Sequence, residues 1–151
     1  MTNPDSVFRR FSLVGRTALI TGSSRGIGWK TARLMAEAGA SVILNGRDEG
    51  VLAGRAAELV DAGHEAGHVV FDAHDADAAA AAAGALVEQR GCIDILVSNA
   101  GAAFRKSLAE TSLADWRGVL ESHMTTSFAL ARTLAPAPPR MHDDASSLRH
   151  P

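Results

Sequence analysis

The sequence predicts an α/β fold, a doubly wound parallel sheet with helices on both faces. Three observations predict it. Short apolar, β-branched runs alternate with longer segments of helical pattern. Each run is apolar throughout, the pattern of a strand covered on both faces. The strand–helix–strand rhythm calls for right-handed crossovers, which make neighbouring strands parallel.

The first strand is expected in "RTALITG" at 16–22, which breaks into the glycine-rich loop "GSSRGIG". A helix follows from Ile27 to Ala38 and stops at Gly39, a natural C-cap. "SVILNG" at 41–46 reads as the second strand. Asp48 then caps a helix whose Leu52, Ala56 and Leu59 share one face. The third strand is expected in "GHVVFD" at 67–72. The helix after it runs from about Asp75 to Arg90 and stops at Gly91, with Ala79, Ala82, Leu86 and the neighbouring Ala83 as its apolar stripe. "IDILVS" at 93–98 supplies the fourth strand. A fourth helix is predicted over Leu113 to Leu134, opened by the capping-box spacing of "SLAD" at 112–115. Trp116, Leu120, His123, Ser127, Leu130 and Leu134 trace its expected inward face. Beyond it, Pro136, Pro138 and Pro139 oppose helix continuation, and the polar remainder reads as a disordered tail.

The totals bound the function. A chain of 151 residues is most simply one domain with a real core. Its 46% hydrophobic and 21% charged residues are ordinary for a soluble globular protein. A net charge of -2 leaves no footprint for nucleic acid or an anionic membrane. No apolar stretch is long enough for a bilayer, and the N-terminus lacks the apolar core of a secretory signal. The single Cys92 has no internal disulfide partner, so the cytoplasm is the expected compartment. His64, His68, His74, His142 and His150 form no metal-ligand spacing, so no metal is expected and they read as surface residues.

The chemistry concentrates in the first loop. Gly22, Gly26 and Gly28 allow tight turning and close ligand approach, and the helix that follows offers its N-terminal amides to a pyrophosphate. A plain structural turn is the other reading of such glycines. The end of the second strand is where folds of this kind read a ribose, and an acid there would bind the hydroxyls of NAD. This chain carries "NGRD", with Arg47 in that region and Arg25 inside the loop, while Asp48 suits the helix cap. Two guanidiniums fit a 2′-phosphate, which favours NADP(H) over the alternative, NAD. The other reading makes both arginines solvated surface charges.

With these motifs in order, the sequence resembles the short-chain dehydrogenase/reductase family. "TGSSRGIG" resembles its cofactor loop, "FDAHD" at 71–75 its third-strand acidic motif and "SNAG" at 98–101 its NNAG motif. "DWRGVLESHMTTSFALAR" at 115–132 resembles its long fourth-crossover helix, so the likeness runs from Phe11 to Leu134. Within the family, the gluconate 5-dehydrogenase-like members are the most similar. The resemblance implies a Rossmann-type doubly wound parallel sheet, here truncated after the fourth strand and its following helix. Residues 1–15 would be an N-terminal segment, 16–134 an incomplete dinucleotide-binding domain and 135–151 the tail.

The resemblance also implies roles. Gly22, Ser23, Ser24, Arg25, Gly26, Ile27 and Gly28 would line the pyrophosphate and adenosine side, and Arg47 would face the 2′-phosphate. Asp72 would bind the adenine amino group with Ala73 beside it, and Asn99, Ala100 and Gly101 would flank the ribose. Strand termination by Asp72 and strand tying by Asn99 are the structural alternatives. The family's hydride chemistry uses an Asn on the fourth helix, a Ser after the next strand and a Tyr–Lys pair. Here the tyrosine count is zero, no counterpart of that Ser or pair is present, and His123 falls at the Asn position. His123 reads either as a proton relay or as a partly buried histidine held by a local hydrogen bond. The expected function is an NADP(H)-dependent oxidoreductase on a small alcohol or carbonyl substrate. The alternatives are an inactive nucleotide-binding module, or a fragment that forms a homo-oligomer or pairs with a full-length relative through the "IDILV" sheet edge.

Overall fold

The computed structural model describes residues 11–101 and 105–135. The first ten residues and the polar tail beyond Ala135 lie outside the described residues, so the tail's expected disorder lies there too.

Four parallel strands, β1 (Thr17–Ile20), β2 (Ser41–Gly46), β3 (Ala66–Val70) and β4 (Ile95–Val97), form one sheet in the order β3-β2-β1-β4. Between them run α1 (Gly26–Glu37), α2 (Glu49–Asp61) and α3 (Ala76–Arg90). After β4 come α4 (Leu113–Leu120), a π-helical segment (Glu121–Thr125) and α5 (Thr126–Leu134). The register places Ala18 beside Val42 and Ile95, so β1 lies at the sheet's centre.

Side chains alternate across each strand and divide the core in two. Ala18, Ile20, Val42 and Leu44 face one way, against Ala32 and Ala36 of α1 and Leu52, Ala56 and Leu59 of α2. Leu19 and Ile43 face the other way, against Ala79, Ala83 and Leu86 of α3 and Leu130 and Leu134 of α5. Helices thus cover both faces. After β3 the chain crosses behind the sheet to β4 on the far side of β1. That reversal opens a crevice at the carboxyl ends of β1 and β4.

The local signals act where the sequence places them. Asp48 accepts from the Val51 amide at 3.0 Å and Asp75 from the Ala78 amide at 2.9 Å, opening α2 and α3. Gly39 and Gly91 sit at φ 98° and 85°, where a side chain would be strained. Ser112 and Asp115 form the expected reciprocal box at the start of α4. Two expectations need correction. Full cover on both faces holds for β1 and β2, whereas β3 and β4 are half-buried because they are the two outer strands of the sheet. The fourth helix is not continuous, and its inward face differs from the expected one. Trp116, Leu120 and His123 are exposed, Ser127 is half-buried, and Ser122, Thr126, Leu130 and Leu134 are buried. The wider π turn shifts the phase of everything before it. The buried hydroxyls are satisfied, with Thr126 donating to the Ala73 carbonyl at 2.8 Å and Ser122 to the Val119 carbonyl at 3.1 Å. No described helix is long and apolar enough to cross a membrane.

Leu130 is fully enclosed between α5, α3 and the sheet. Leu130→Ala should therefore cost about 2–5 kcal/mol in urea unfolding, and a loss well under that range would show the α5 face to be loosely packed.

Asp115 yields a second expectation. The Lys106 ammonium at 2.7 Å, followed by the Ser112 hydroxyl and amide, lowers its pKa from 3.8 to about 2. A lowered carboxyl stabilises the fold above its ordinary pKa and loses that contribution as pH falls toward the folded value. The stabilisation is therefore intact above 3.8 and is lost on acidification through about 2. NMR titration of the Asp115 carboxyl should give a midpoint near 2, moving upward in Lys106→Ala. A midpoint unchanged by that substitution would remove the ion pair from the account.

Candidate functional site

The carboxyl end of a central strand poses a problem. Its backbone must leave the sheet while its amides and carbonyls still find partners. At the end of β1 three side chains supply them. Thr21 Oγ1 donates to the Val97 carbonyl at 3.3 Å and accepts the amides of Asn99 and Ala100, each at 3.0 Å. Asn99 Nδ2 donates to the carbonyls of Thr21 at 3.0 Å and Gly22 at 3.1 Å. Asn45 Oδ1 accepts the Gly22 amide at 3.3 Å, while its Nδ2 donates to the carbonyls of Val69 at 3.3 Å and Phe71 at 3.2 Å.

Ser23 turns inward. Its hydroxyl donates to the Ile20 carbonyl at 2.8 Å and accepts the Asn45 amide at 2.9 Å. The loop is thus pinned to β1, β2 and β4 before its glycines act. Gly22 and Gly26 take φ 63° and 62°. A Cβ on Gly28 would meet the Asn99 amide nitrogen at 2.5 Å and would also overlap the Gly22 carbonyl oxygen. Only glycine lets α1 approach the strand ends this closely. α1 has no side-chain cap at Arg25 and no acid in its first turn. Its first amides, which lack intrahelical acceptors, are left open to an external acceptor.

A cavity of about 390 Å³ opens over this lattice. Among the expected site residues, Gly22, Ser24, Arg25, Gly26, Ile27, Arg47, Asp72, Ala73, Asn99, Ala100 and Gly101 line it. Ser23 and Gly28 do not line it and lie behind the wall they support. Asn45, Gly46, Phe71 and His74 also line the cavity and were not singled out from the sequence. The fold delivers Asn45 and Gly46 to the site because they end β2, the strand end at which the sequence already places "NGRD".

His74, read as a surface residue, is exposed yet sits on the rim bonded to Asp72. The Asp72 carboxyl is held below its usual range, first by the His74 backbone amide at 3.0 Å. The His74 ring, also at 3.0 Å, and Arg47 act in the same direction, while partial burial opposes them. Arg47 stands 3.7 Å from Asp72 with 75% of its side chain exposed.

His123 departs from one of its two readings. It is exposed and not partly buried, and its ring lies so close to Gly101 that a Cβ there would meet Nε2 at 2.6 Å. Just beyond the π segment that carries it, Ser127 Oγ is bonded to both Ser98 Oγ and the His123 carbonyl. No group of three or more metal-ligating side chains occurs among the described residues.

The residues present fit a dinucleotide. A helix N-terminus faces the cavity, and two guanidiniums and a carboxylate stand on its rim. Comparison with known proteins agrees. Residues 16–146 match the short chain dehydrogenase family. The chain is 38% identical over 135 residues to the gluconate 5-dehydrogenase of Gluconobacter oxydans, covering 89% of this chain and 51% of that one. It is 43% identical over 111 residues to the cis-4-hydroxycyclohexanecarboxylate dehydrogenase of Sinomonas cyclohexanicum, covering 73% and 44%. The crystal structure of a gluconate 5-dehydrogenase from Burkholderia cenocepacia J2315, in complex with NADP and tartrate, superposes with a TM-score of 0.79. It shares 40% identity and is matched over 85% of this chain and 50% of that one. A 3-oxoacyl (acyl-carrier-protein) reductase from Agrobacterium tumefaciens C58 with NADP bound gives a TM-score of 0.78 at 32% identity, over 89% and 51%. The chain spans about half the length of the curated relatives it matches.

Asn45 joins three of the four strand ends, and one substitution tests that. Asn45→Asp keeps the shape but turns a carboxylate oxygen onto the Val69 and Phe71 carbonyls. Thermal unfolding should show a loss of about 2 kcal/mol or more, whereas a wild-type melting curve would refute the tie.

Proposed function

The chain belongs to the short-chain dehydrogenase family, and from that premise we propose that it binds NADP(H) as the cofactor-binding part of an oxidoreductase acting on a small alcohol or carbonyl compound. One observation carries the choice of cofactor. The end of β2 presents Gly46 and Arg47 to the cavity, with Arg25 on the same lining, while the nearest acid in sequence, Asp48, is spent capping α2. An NAD-selective site needs an acceptor for two ribose hydroxyls there, whereas two guanidiniums suit a phosphate. The NADP complexes among the similar structures support the same reading.

The first amides of α1 and the backbone of Gly22 to Gly28 would hold the pyrophosphate. Arg25 and Arg47 would hold the 2′-phosphate. Asp72 would accept from the adenine amino group beside Ala73, and Asn99, Ala100 and Gly101 would back the ribose. The bound cofactor supplies hydride transfer. His123, against Gly101, would back this wall. The alcohol proton in this family leaves through a phenol, and these 151 residues contain no tyrosine. Binding without turnover is therefore what this chain should show alone.

A thermal-shift titration with NADPH and NADH, run beside a turnover assay, tests the reading. NADPH at about a hundredfold excess over Kd should add about 2.7 kcal/mol of stability. Arg47→Asp should weaken NADPH binding far more than NADH binding. Equal weakening of both would refute the 2′-phosphate assignment, and turnover by the isolated chain would overturn the binding-only assignment.

A further inference from the structure

Arg55 on α2 belongs to none of the roles assigned above, yet it touches the loop that forms the cavity wall. Its Nε donates to the Ser24 carbonyl at 3.4 Å. Its guanidinium carbon lies 4.7 Å from the centroid of the Trp29 ring on α1. Its Nη1 donates to both carboxylate oxygens of Glu58 at 2.9 Å, one turn along its own helix. One planar group is therefore fixed by a helix, a ring and a carboxylate, and its remaining edge holds the peptide that leads into Arg25.

This brace bears on Arg25 in particular. Arg25 is the N-cap of α1 and makes no side-chain cap bond, so its own side chain does nothing to fix its backbone. The residue after it, Gly26, has positive φ and nothing within 4 Å of where a Cβ would stand. The loop's inner half is locked by Ser23 and Asn45, but among the described residues the 24–25 peptide is hydrogen-bonded by Arg55 alone. The charge of Arg55 is meanwhile opposed by Glu58 at contact distance, so its influence on the cavity is one of geometry and not of field.

We propose that Arg55 is a specificity-positioning residue. By holding the Ser24 carbonyl from a seat on Trp29, it aims Arg25 at the 2′-phosphate and sets the preference for NADP(H) over NAD(H). The proposal rests on the NADP(H) reading above. It requires the planar fork and the stacked face of arginine, which lysine does not reproduce.

The test is the ratio of NADH to NADPH dissociation constants, measured by fluorescence or calorimetry on the full chain for wild type, Arg55→Ala, Arg55→Lys and Trp29→Leu. Melting curves identify any variant that fails to fold. Both Arg55 variants should lose on the order of tenfold in NADPH affinity, the value of one misaimed charge-assisted bond. NADH affinity should stay within about twofold, a tolerance set well below one such bond. Trp29→Leu, which keeps the arginine but removes its seat, should move the ratio the same way by less. Equal weakening of both cofactors would mark Arg55 as merely structural and overturn the proposal. So would a wild-type ratio in Arg55→Lys, because charge alone would then suffice. A wild-type ratio near one would instead overturn the NADP(H) reading itself, and the proposal with it.

Discussion

The site depends on one constraint: the backbone at the carboxyl end of β1 must leave the sheet with its polar groups satisfied inside the protein. The paired register of β1 ends at Ile20. Beyond it, among the described residues, the backbone reaches its neighbours only through the Thr21 amide to the Val97 carbonyl at 3.0 Å and the Ser23 amide to the Asn45 carbonyl at 2.9 Å. Other polar groups there need side-chain partners. Thr21, Asn45 and Asn99 take them over, one side chain from each of β1, β2 and the β4 exit. Among the described residues no buried side-chain nitrogen or oxygen lacks a partner. The net worth of each such bond is only about 1 kcal/mol, while leaving a partner unmade costs about 1–3 kcal/mol. The lattice therefore matters less for total stability than for uniqueness. Few other loop conformations satisfy the same donors and acceptors.

The doubly wound topology turns that local lattice into a cavity. β4 reaches β1 only because α3 crosses behind the sheet, so the Asn99 side of the site is assembled by the packing of α3 and α5 against Leu19 and Ile43. Thr126 couples this layer to the opposite rim. It is buried on α5, and its hydroxyl holds the Ala73 carbonyl next to Asp72. The rim that would read adenine is thus fastened to the start of α5, just after the π segment that carries His123. Packing beneath the sheet and ligand geometry above it cannot vary independently.

What the sequence made legible follows from the range of each interaction. Asp48, Asp75 and the Ser112–Asp115 box act within three residues, so a local pattern suffices to find them. The apolar runs give the strands because burial on two faces erases alternation. The glycine loop gives the site because φ and close approach are written into the residue type. Asn45, Thr21 and Arg55 were opaque for the opposite reason. Glu58 beside Arg55 excepted, their partners lie between 22 and 79 residues away, and nothing in an isolated Asn, Thr or Arg identifies them. The inward face of the fourth helix was misread because apolar periodicity treats a buried Thr126 as a surface residue. Its burial is permitted by a carbonyl that only the fold brings near.

The three arginines of the site also divide by physics rather than by sequence position. Arg47 reaches Asp72 at 3.7 Å with most of its side chain in water, and an exposed pair of that kind is worth little. An anionic ligand can take Arg47 from its partner at small cost. Arg55 is the reverse case, with two contacts to Glu58 at 2.9 Å, a ring beneath it and a third of its side chain exposed. Moving it would break several interactions at once, so it serves as structure while retaining a full charge. Arg25 lies between them, exposed at its head and carried on the peptide that Arg55 holds. Counting positive charges near a cavity would score all three alike. Their partners show which are available to a ligand and which make that availability directional.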